Sequence, residues 1–482
     1  MSAPLTFTTA AHYNQYLPVE GGVLDVILTI VAVGTGPAAP RTAGAPGLAE
    51  VILLDCSGSM GAPQAKIHAA RQAAGAAIDT LREGVAFAVV EGFERARMVY
   101  PEDRQLAIAN ERTRAAARTA VRRLNAHGGT AIGRWLRLAD ELLSGRPGAI
   151  GHAIMLTDGR NESESAADLN ATLAACSGRF TVDCRAIGSA TGIHDWDGPE
   201  LLRIAEALGA NPVVPVEDLS ALPGDFAAMM DRAMSRIAGD VRLRIRTPGL
   251  ARVQFVKQVY PLIADLTDRG EPVGDRSADY PTGAWGPDDR RDYHIRLEID
   301  GGKPGTPGRA AWFGLRPGAQ PEEPEPEETA VLVEWSHDAA QYTDYPPPVI
   351  YYTSQQDHAS AIQRGWEAFQ AGRLDAAEQQ LGLAVALAHR TGDEDKLRVL
   401  GRLVDIQDTA AGRVRLKPDI DSRHWPPVTA RGSQTSQWHG NSEPPLPPPD
   451  DEPVASGPCP RCEATLTGRF CGECGWPGPG ST

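Results

Sequence analysis

The sequence predicts a multi-domain chain of mixed α/β and β class. A doubly wound, Rossmann-like α/β domain is expected, inserted in or flanked by an antiparallel β-sandwich. A helical bundle, a disordered linker and a small cysteine module are expected after it. Three observations carry this. Short apolar runs alternate with Ala- and Leu-rich helical stretches over residues 49–238. Period-two alternation of apolar and polar residues occurs on both sides of that region. With 482 residues, the chain is too long for one core at about 150 residues per domain.

Residues 1–33 read as the first strands of the sandwich, because Leu24, Val26, Leu28 and Ile30 share one face while Asp25 and Thr29 take the other. Residues 34–48 are a Gly/Pro/Ala linker without periodicity. In 49–238, Glu50–Leu54, Val85–Val90, Ala149–Leu156, Thr181–Ile187 and Val213–Val216 read as strands. Pro63–Leu81, Leu106–Leu124, Ala131–Leu143, Ser163–Cys176, Pro199–Leu208 and Leu219–Ile237 read as helices. Repeated βα units predict a parallel sheet covered on both faces. Residues 239–350 return to alternation, as in Val241–Arg246 and Tyr293–Ile299, with a long loop near 268–291 and a solvated acidic loop at Pro321–Glu328. Residues 355–412 carry helical spacing (Ala359, Ile362, Trp366, Phe369), and 413–458 read as a disordered Pro-rich linker. The cysteine module occupies 459–476.

A net charge of −15 argues against nonspecific binding to nucleic acid or anionic membrane. Arginine far outnumbers lysine in a chain rich in Ala, Gly and Pro, which points to a GC-rich, bacterial source. Met1–Glu20 has no basic, apolar leader pattern. No stretch reaches the roughly 20 apolar residues of a membrane span. With Cys56, Cys176 and Cys184 scattered outside the terminal cluster, a reducing, cytoplasmic setting is expected.

The strongest chemical signal is Val51-Ile-Leu-Leu-Asp55-Cys-Ser57-Gly-Ser59. A buried strand ends in a carboxylate and is followed by two hydroxyls at alternate positions, which an extended turn points the same way. Oxygen donors suit a hard cation such as Mg²⁺. Taken singly, such residues are also the ordinary material of helix caps and turns. The joint pattern of Asp55-x-Ser57-x-Ser59, Gly128-Gly129-Thr130 and Thr157-Asp158-Gly159 resembles the metal-ion-dependent adhesion site of the von Willebrand factor A family. The resemblance implies that Ser57, Ser59 and Thr130 ligate Mg²⁺ (or Mn²⁺ or Ca²⁺) through hydroxyls. Asp55 and Asp158 would act directly or through water, leaving one position for an acidic residue of a partner. Neutral hydroxyls leave such a cation electrophilic, so an incoming Asp or Glu gains a bond that water does not match.

No phosphate-binding loop or nucleophile elbow is present. His127 is read as a solvated loop residue, and Cys56 is expected to point away from the ligands. The reading is therefore nonenzymatic. A metal-dependent hydrolase is the less favoured alternative.

Cys459-Pro-Arg-Cys462 and Cys471-Gly-Glu-Cys474 set four thiolates at zinc spacing, and the module resembles a short zinc ribbon. Gly472 and Gly475 are expected to supply the positive φ of its knuckles. Only Arg461 and Arg469 are basic there, so a zinc-ribbon regulator acting on nucleic acid is the alternative, and protein contact is preferred. Gly365–Ala377 resembles a single tetratricopeptide-like hairpin, read as core packing. The expected function is cation-dependent protein interaction by a bacterial scaffold or assembly factor. Its partner offers Asp or Glu and belongs, by the family resemblance, among AAA+ ATPases or assembly components.

Overall fold

A computed structural model describes residues 5–34, 47–157, 161–187, 198–209, 214–216, 219–236, 238–316, 328–421, 424–438, 457–459, 462–466 and 471. Asp158, Cys474, Gly472, Gly475 and most of the acidic run lie outside the described residues.

The chain opens with β1 (Thr6–His12), β2 (Tyr16–Pro18) and β3 (Gly21–Val33). The α/β domain follows: β4 (Leu48–Asp55), α1 (Ala65–Thr80), β5 (Ala86–Gly92), β6 (Ala96–Tyr100), β7 (Ala107–Ile108), α2 (Glu111–Val121) and α3 (Ile132–Ser144). It continues through β8 (Ile150–Thr157), α4 (Ala166–Cys176), β9 (Thr181–Ile187), α5 (Gly198–Ala207), β10 (Val214–Val216) and α6 (Leu222–Ser235). The strand order is β10-β9-β8-β4-β5-β6. All neighbours are parallel except β6 and β7, which run antiparallel to β5. β4 is central and every residue of it is buried, as a strand with helices on both faces requires. Ile52 and Leu54 face α1 and α6, while Val51 and Leu53 face α3 and α4. Each such side chain contributes about 1.5–3 kcal/mol on burial. The alanines of α1 (Ala70, Ala73, Ala74, Ala77) let that helix lie close on the sheet.

The return of alternation builds β11 (Ala238–Arg246), β12 (Ala251–Tyr260), β13 (Ala264–Asp265), β14 (Glu271–Gly274), β15 (Ser277–Trp285), β16 (Arg290–Asp300), β17 (Pro307–Arg316) and β18 (Thr329–Ser336). One sheet runs β1-β3-β16-β12-β13 and the other β14-β15-β11-β17-β18-β2. Their inner faces share one core that includes Leu28, Ile30, Val241, Leu243, Trp285, Ile295, Phe313 and Trp335. Sandwich and insertion are thus as the fold class predicts: the α/β domain enters between β3 and β11. The outward arginines of β11 are paired, Arg244 with Asp279 at 2.7 and 2.8 Å and Arg246 with Glu328 at 2.9 Å.

Several expectations are corrected. The long loop near 268–291 is largely the hairpin β14–β15, whose charged, Gly-broken sequence hides its alternation. The stretch 106–124 begins with β7, and the Asn110 side chain accepts the Thr113 N–H at 3.0 Å to start α2 only afterwards. The hairpin strand β6 carries no clear periodic signal. The helical region begins inside the expected sandwich, with α7 (Ala339–Tyr342) and α8 (Pro347–Gln370), and continues in α9 (Leu374–Arg390) and α10 (Glu394–Leu400). It then turns into a hairpin of β19 (Val404–Asp408) and β20 (Arg413–Leu416), so 404–412 is not helix.

In the expected linker from 413, residues 413–421 and 424–438 are ordered. α11 (Pro426–Ser433) follows a fully buried Trp425. That indole packs on Trp366 and Phe369, with ring centroids 5.3 and 5.4 Å away, so one aromatic anchor outweighs a proline-rich composition. α8 lies on the outer face of the first sandwich sheet, where Val349 and Tyr352 meet Ile27 and Val259. α11 packs against α5 and β10. Among the described residues, no helix is long and apolar enough to cross a membrane.

Candidate metal centre

β4 delivers Asp55 to the carboxyl edge of the sheet, where open α/β sheets bind ligands. The Asp55 carboxylate is fully buried and oriented on both oxygens: Oδ1 accepts the Ser57 N–H at 2.8 Å, and Oδ2 accepts the Thr157 hydroxyl at 2.6 Å. The chain then makes one short 3₁₀ turn at Gly58–Gly61. Ser57 Oγ and Ser59 Oγ stand 3.0 Å apart, with Ser57 buried and Ser59 half-buried. The two hydroxyls of the motif therefore converge beside a carboxylate.

A second loop is stapled to this turn. The Gly58 N–H donates to Gly128 O at 2.9 Å, and the His127 N–H donates to Cys56 O at 2.6 Å. These bonds seat the loop ending in Thr130, which is buried, against the Asp55–Ser59 turn. Gly128 has φ +70°, a conformation glycine adopts freely. Ser163 N–H donates to Thr130 O at 2.8 Å, tying in the segment after β8. Asp158 follows Thr157, whose hydroxyl is already on Asp55; its own position lies outside the described residues.

Several residues of this rim gave no sequence signal. Glu94, at the β5–β6 turn, accepts the Gly129 N–H at 2.8 Å, and this bond chiefly holds its carboxyl below the usual range. Phe93 O accepts both the Ala131 N–H at 3.1 Å and the Trp135 indole N–H at 2.7 Å. Asn161 and Glu164 accept the first N–H groups of α3, from Ile132 at 2.9 Å and Gly133 at 2.7 Å. These contacts join residues about 30 to 40 positions apart, which local pattern does not reveal. His127 is not simply solvated: its Nε2 lies 3.0 Å from Glu91 Oε1. Cys56 is buried in the core, and burial, then Glu91 and Asp55, push its thiol up, away from nucleophilic use.

The donor set fits a hard cation, with neutral hydroxyl oxygens and a buried, pre-oriented carboxylate. A family model described as von Willebrand factor type A domain matches residues 49–211. A solved von Willebrand factor type A structure from Catenulispora acidiphila is 37% identical, has a TM-score of 0.82, and covers 91% of this chain and 98% of that chain. The chain belongs to the von Willebrand factor type A family. An uncharacterised protein of Synechocystis sp. is 30% identical over 221 residues, 45% of this chain and 49% of the relative. The chain thus spans about half the length of that curated relative. Von Willebrand factor A domains are commonly interaction modules and often hold a divalent metal.

The terminal module of this von Willebrand factor A protein brings Cys459, Cys462 and Cys471 together. Their Sγ atoms all lie within 4.8 Å of one another, Cys462 and Cys471 at 3.6 Å, an arrangement compatible with zinc. The Cys459 N–H donates to Ala464 O at 2.8 Å, closing the first knuckle, in which Glu463 takes the positive φ of +62°.

Proposed function

We propose that the α/β domain is a cation-dependent interaction module. Asp55, Ser57, Ser59, Thr130 and Asp158 would hold one divalent cation, and that cation would grip an Asp or Glu of a partner protein. The observation that carries this reading is the 3.0 Å approach of the Ser57 and Ser59 hydroxyls beside the oriented Asp55. When bound, the cation supplies a Lewis-acidic position facing solvent. The chain's own residues align the oxygens, and Glu94 and Thr157 fix the loops that present them. The buried Cys56 and the engaged His127 offer no free nucleophile or base, which favours binding over turnover. In this reading the protein is a bacterial, cytoplasmic scaffold or assembly factor, with AAA+ ATPases among its partner candidates. The four C-terminal cysteines would hold zinc.

The test is Mn²⁺ titration by calorimetry. Wild type should bind one ion, and Ser57→Ala or Thr130→Ala should abolish binding while thermal melting stays within about 1 kcal/mol of wild type, as polar-to-Ala changes at a binding rim usually do. Equal Mn²⁺ affinity in all three proteins refutes the site. A partner retained in Mg²⁺, released by EDTA and lost with Ser57→Ala completes the reading. Elemental analysis should find zinc at about one per chain, the stoichiometry of a four-cysteine site, and none after Cys471→Ser.

A further inference from the structure

The β-sandwich carries a groove that the cation site does not use. It has a volume of about 290 Å³ and lies between β2, the start of β3 and the α7–α8 connection. Tyr16, Tyr342 and Tyr345 line it, with Leu17, Pro18 and Val23. Tyr345 is 44% and Val23 42% exposed, among the few large apolar side chains left open. Asp25 at its floor is committed to His294 and Arg296, each at 2.7 Å, so it does not leave a free charge there. None of the three phenol hydroxyls makes a hydrogen bond among the described residues.

Tyrosine rings with free hydroxyls and no net charge match one kind of ligand. A polyproline II segment offers flat proline faces for aromatic contact. Its backbone carbonyls have no internal partner, so they accept from tyrosine hydroxyls, and the segment has little conformational entropy to lose. The chain holds one six-residue run with the composition such a segment needs, Pro444-Pro445-Leu446-Pro447-Pro448-Pro449, within residues 439–456 that lie outside the described residues. The described residues that precede this run end at Trp438. The Trp438 ring lies 5.3 Å from that of Tyr351, and the Trp438 backbone N–H donates to the Tyr352 hydroxyl at 3.1 Å. Tyr345 just precedes α8 and Tyr351 sits in its first two turns, so the two are about 10 Å apart on the helical rise. The span from Trp438 to Pro444 reaches about 20 Å when extended, enough to cover that distance.

We propose that this groove is a polyproline II docking site and that its occupant is Pro444–Pro449 of the same chain. Docking would hold the tether to the cysteine module against the sandwich and leave the cation rim open. A proline-rich ligand of another protein would compete for the same tyrosines.

Full-length protein carrying the photo-cross-linker p-benzoylphenylalanine at position 345, mixed from ¹⁴N- and ¹⁵N-labelled chains, tests this by mass spectrometry. The expected products join position 345 to peptides spanning 444–449 of the same label, and they fall severalfold when Pro445, Pro447 and Pro448 are changed to Ser. Products of mixed label assign the occupant to a second copy and overturn the proposal, as does the absence of products at 444–449. In parallel, Tyr345→Ser should raise the rate of proteolysis within 439–456 severalfold at unchanged melting temperature. Equal rates overturn docking.

Discussion

Single side chains decide what the rim of the α/β domain can do, and the space around them is tight. Gly92 pairs with Asp55 across β4 and β5, and a Cβ there would stand 2.5 Å from indole carbons of Trp135. The indole is fully buried and tied to Phe93 O, so it has nowhere to go. Gly92→Ala should therefore destabilise by about 1–3 kcal/mol, the usual cost of overpacking, read as a lower midpoint in urea. Because the displaced Trp135 also shares Phe93 O with Ala131, the Thr130 loop should shift and Mn²⁺ affinity should fall. Unchanged stability would falsify the view that this glycine is required for packing. Asp55, Ser57, Ser59 and Thr130 were visible in the sequence because each sits in a short motif, the first three at the end of β4 and Thr130 just before α3. Glu94 and Trp135 were not, since each reaches the rim from a different element and ordinary Glu and Trp carry no positional signal.

At the level of elements, the opposite end of the same sheet holds a buried charge cluster. His152 on β8 lies 2.7 Å from Glu50 on β4 and 3.2 Å from Asp183 on β9. Arg236 at the end of α6 approaches Asp183 at 3.7 Å and donates to the Thr181 hydroxyl at 2.7 Å. Burial opposes the imidazolium and Arg236 repels it, but Glu50 and Asp183 outweigh both, and the His152 pKa is raised. A folded-state pKa above the unfolded value of about 6.5 means stability from this group is fully present below that value and lost as pH rises through the raised pKa. Chemical denaturation should show stability falling on the alkaline side of about pH 6.5. His152→Gln should remove that slope and cost about 3–5 kcal/mol, as removal of one partner from a buried ion pair does. The parallel strands that carry the cluster were legible as apolar runs. The ordered stretch around Trp425 and the β19–β20 hairpin were not, because prolines and short polar strands look like linker until one aromatic side chain finds its pocket.

At the scale of the whole molecule, the sandwich is completed by the strands β1–β3 that precede the α/β domain. β3 pairs with β1 on one side and β16 on the other, and β2 closes the second sheet against β18. Leu24, Val26, Leu28 and Ile30 of β3 point into the shared core. The inserted α/β domain has its own two-sided core, so the two units should respond differently to truncation. A chain beginning at residue 47 would lose three strands, expose the long edge of β16 and open the sandwich core, a template for edge-to-edge association. It should be recovered mainly as aggregate, read by size-exclusion chromatography. A fragment of residues 47–236 keeps every strand of the α/β sheet and should remain soluble and retain Mn²⁺ binding. It should melt earlier than the intact chain, because it lacks Leu262, which packs on the core around Leu201 and Ile204, and α11, which packs on α5. Failure of that fragment to fold would place the rim's stability in the sandwich and helices rather than in the sheet that carries Asp55.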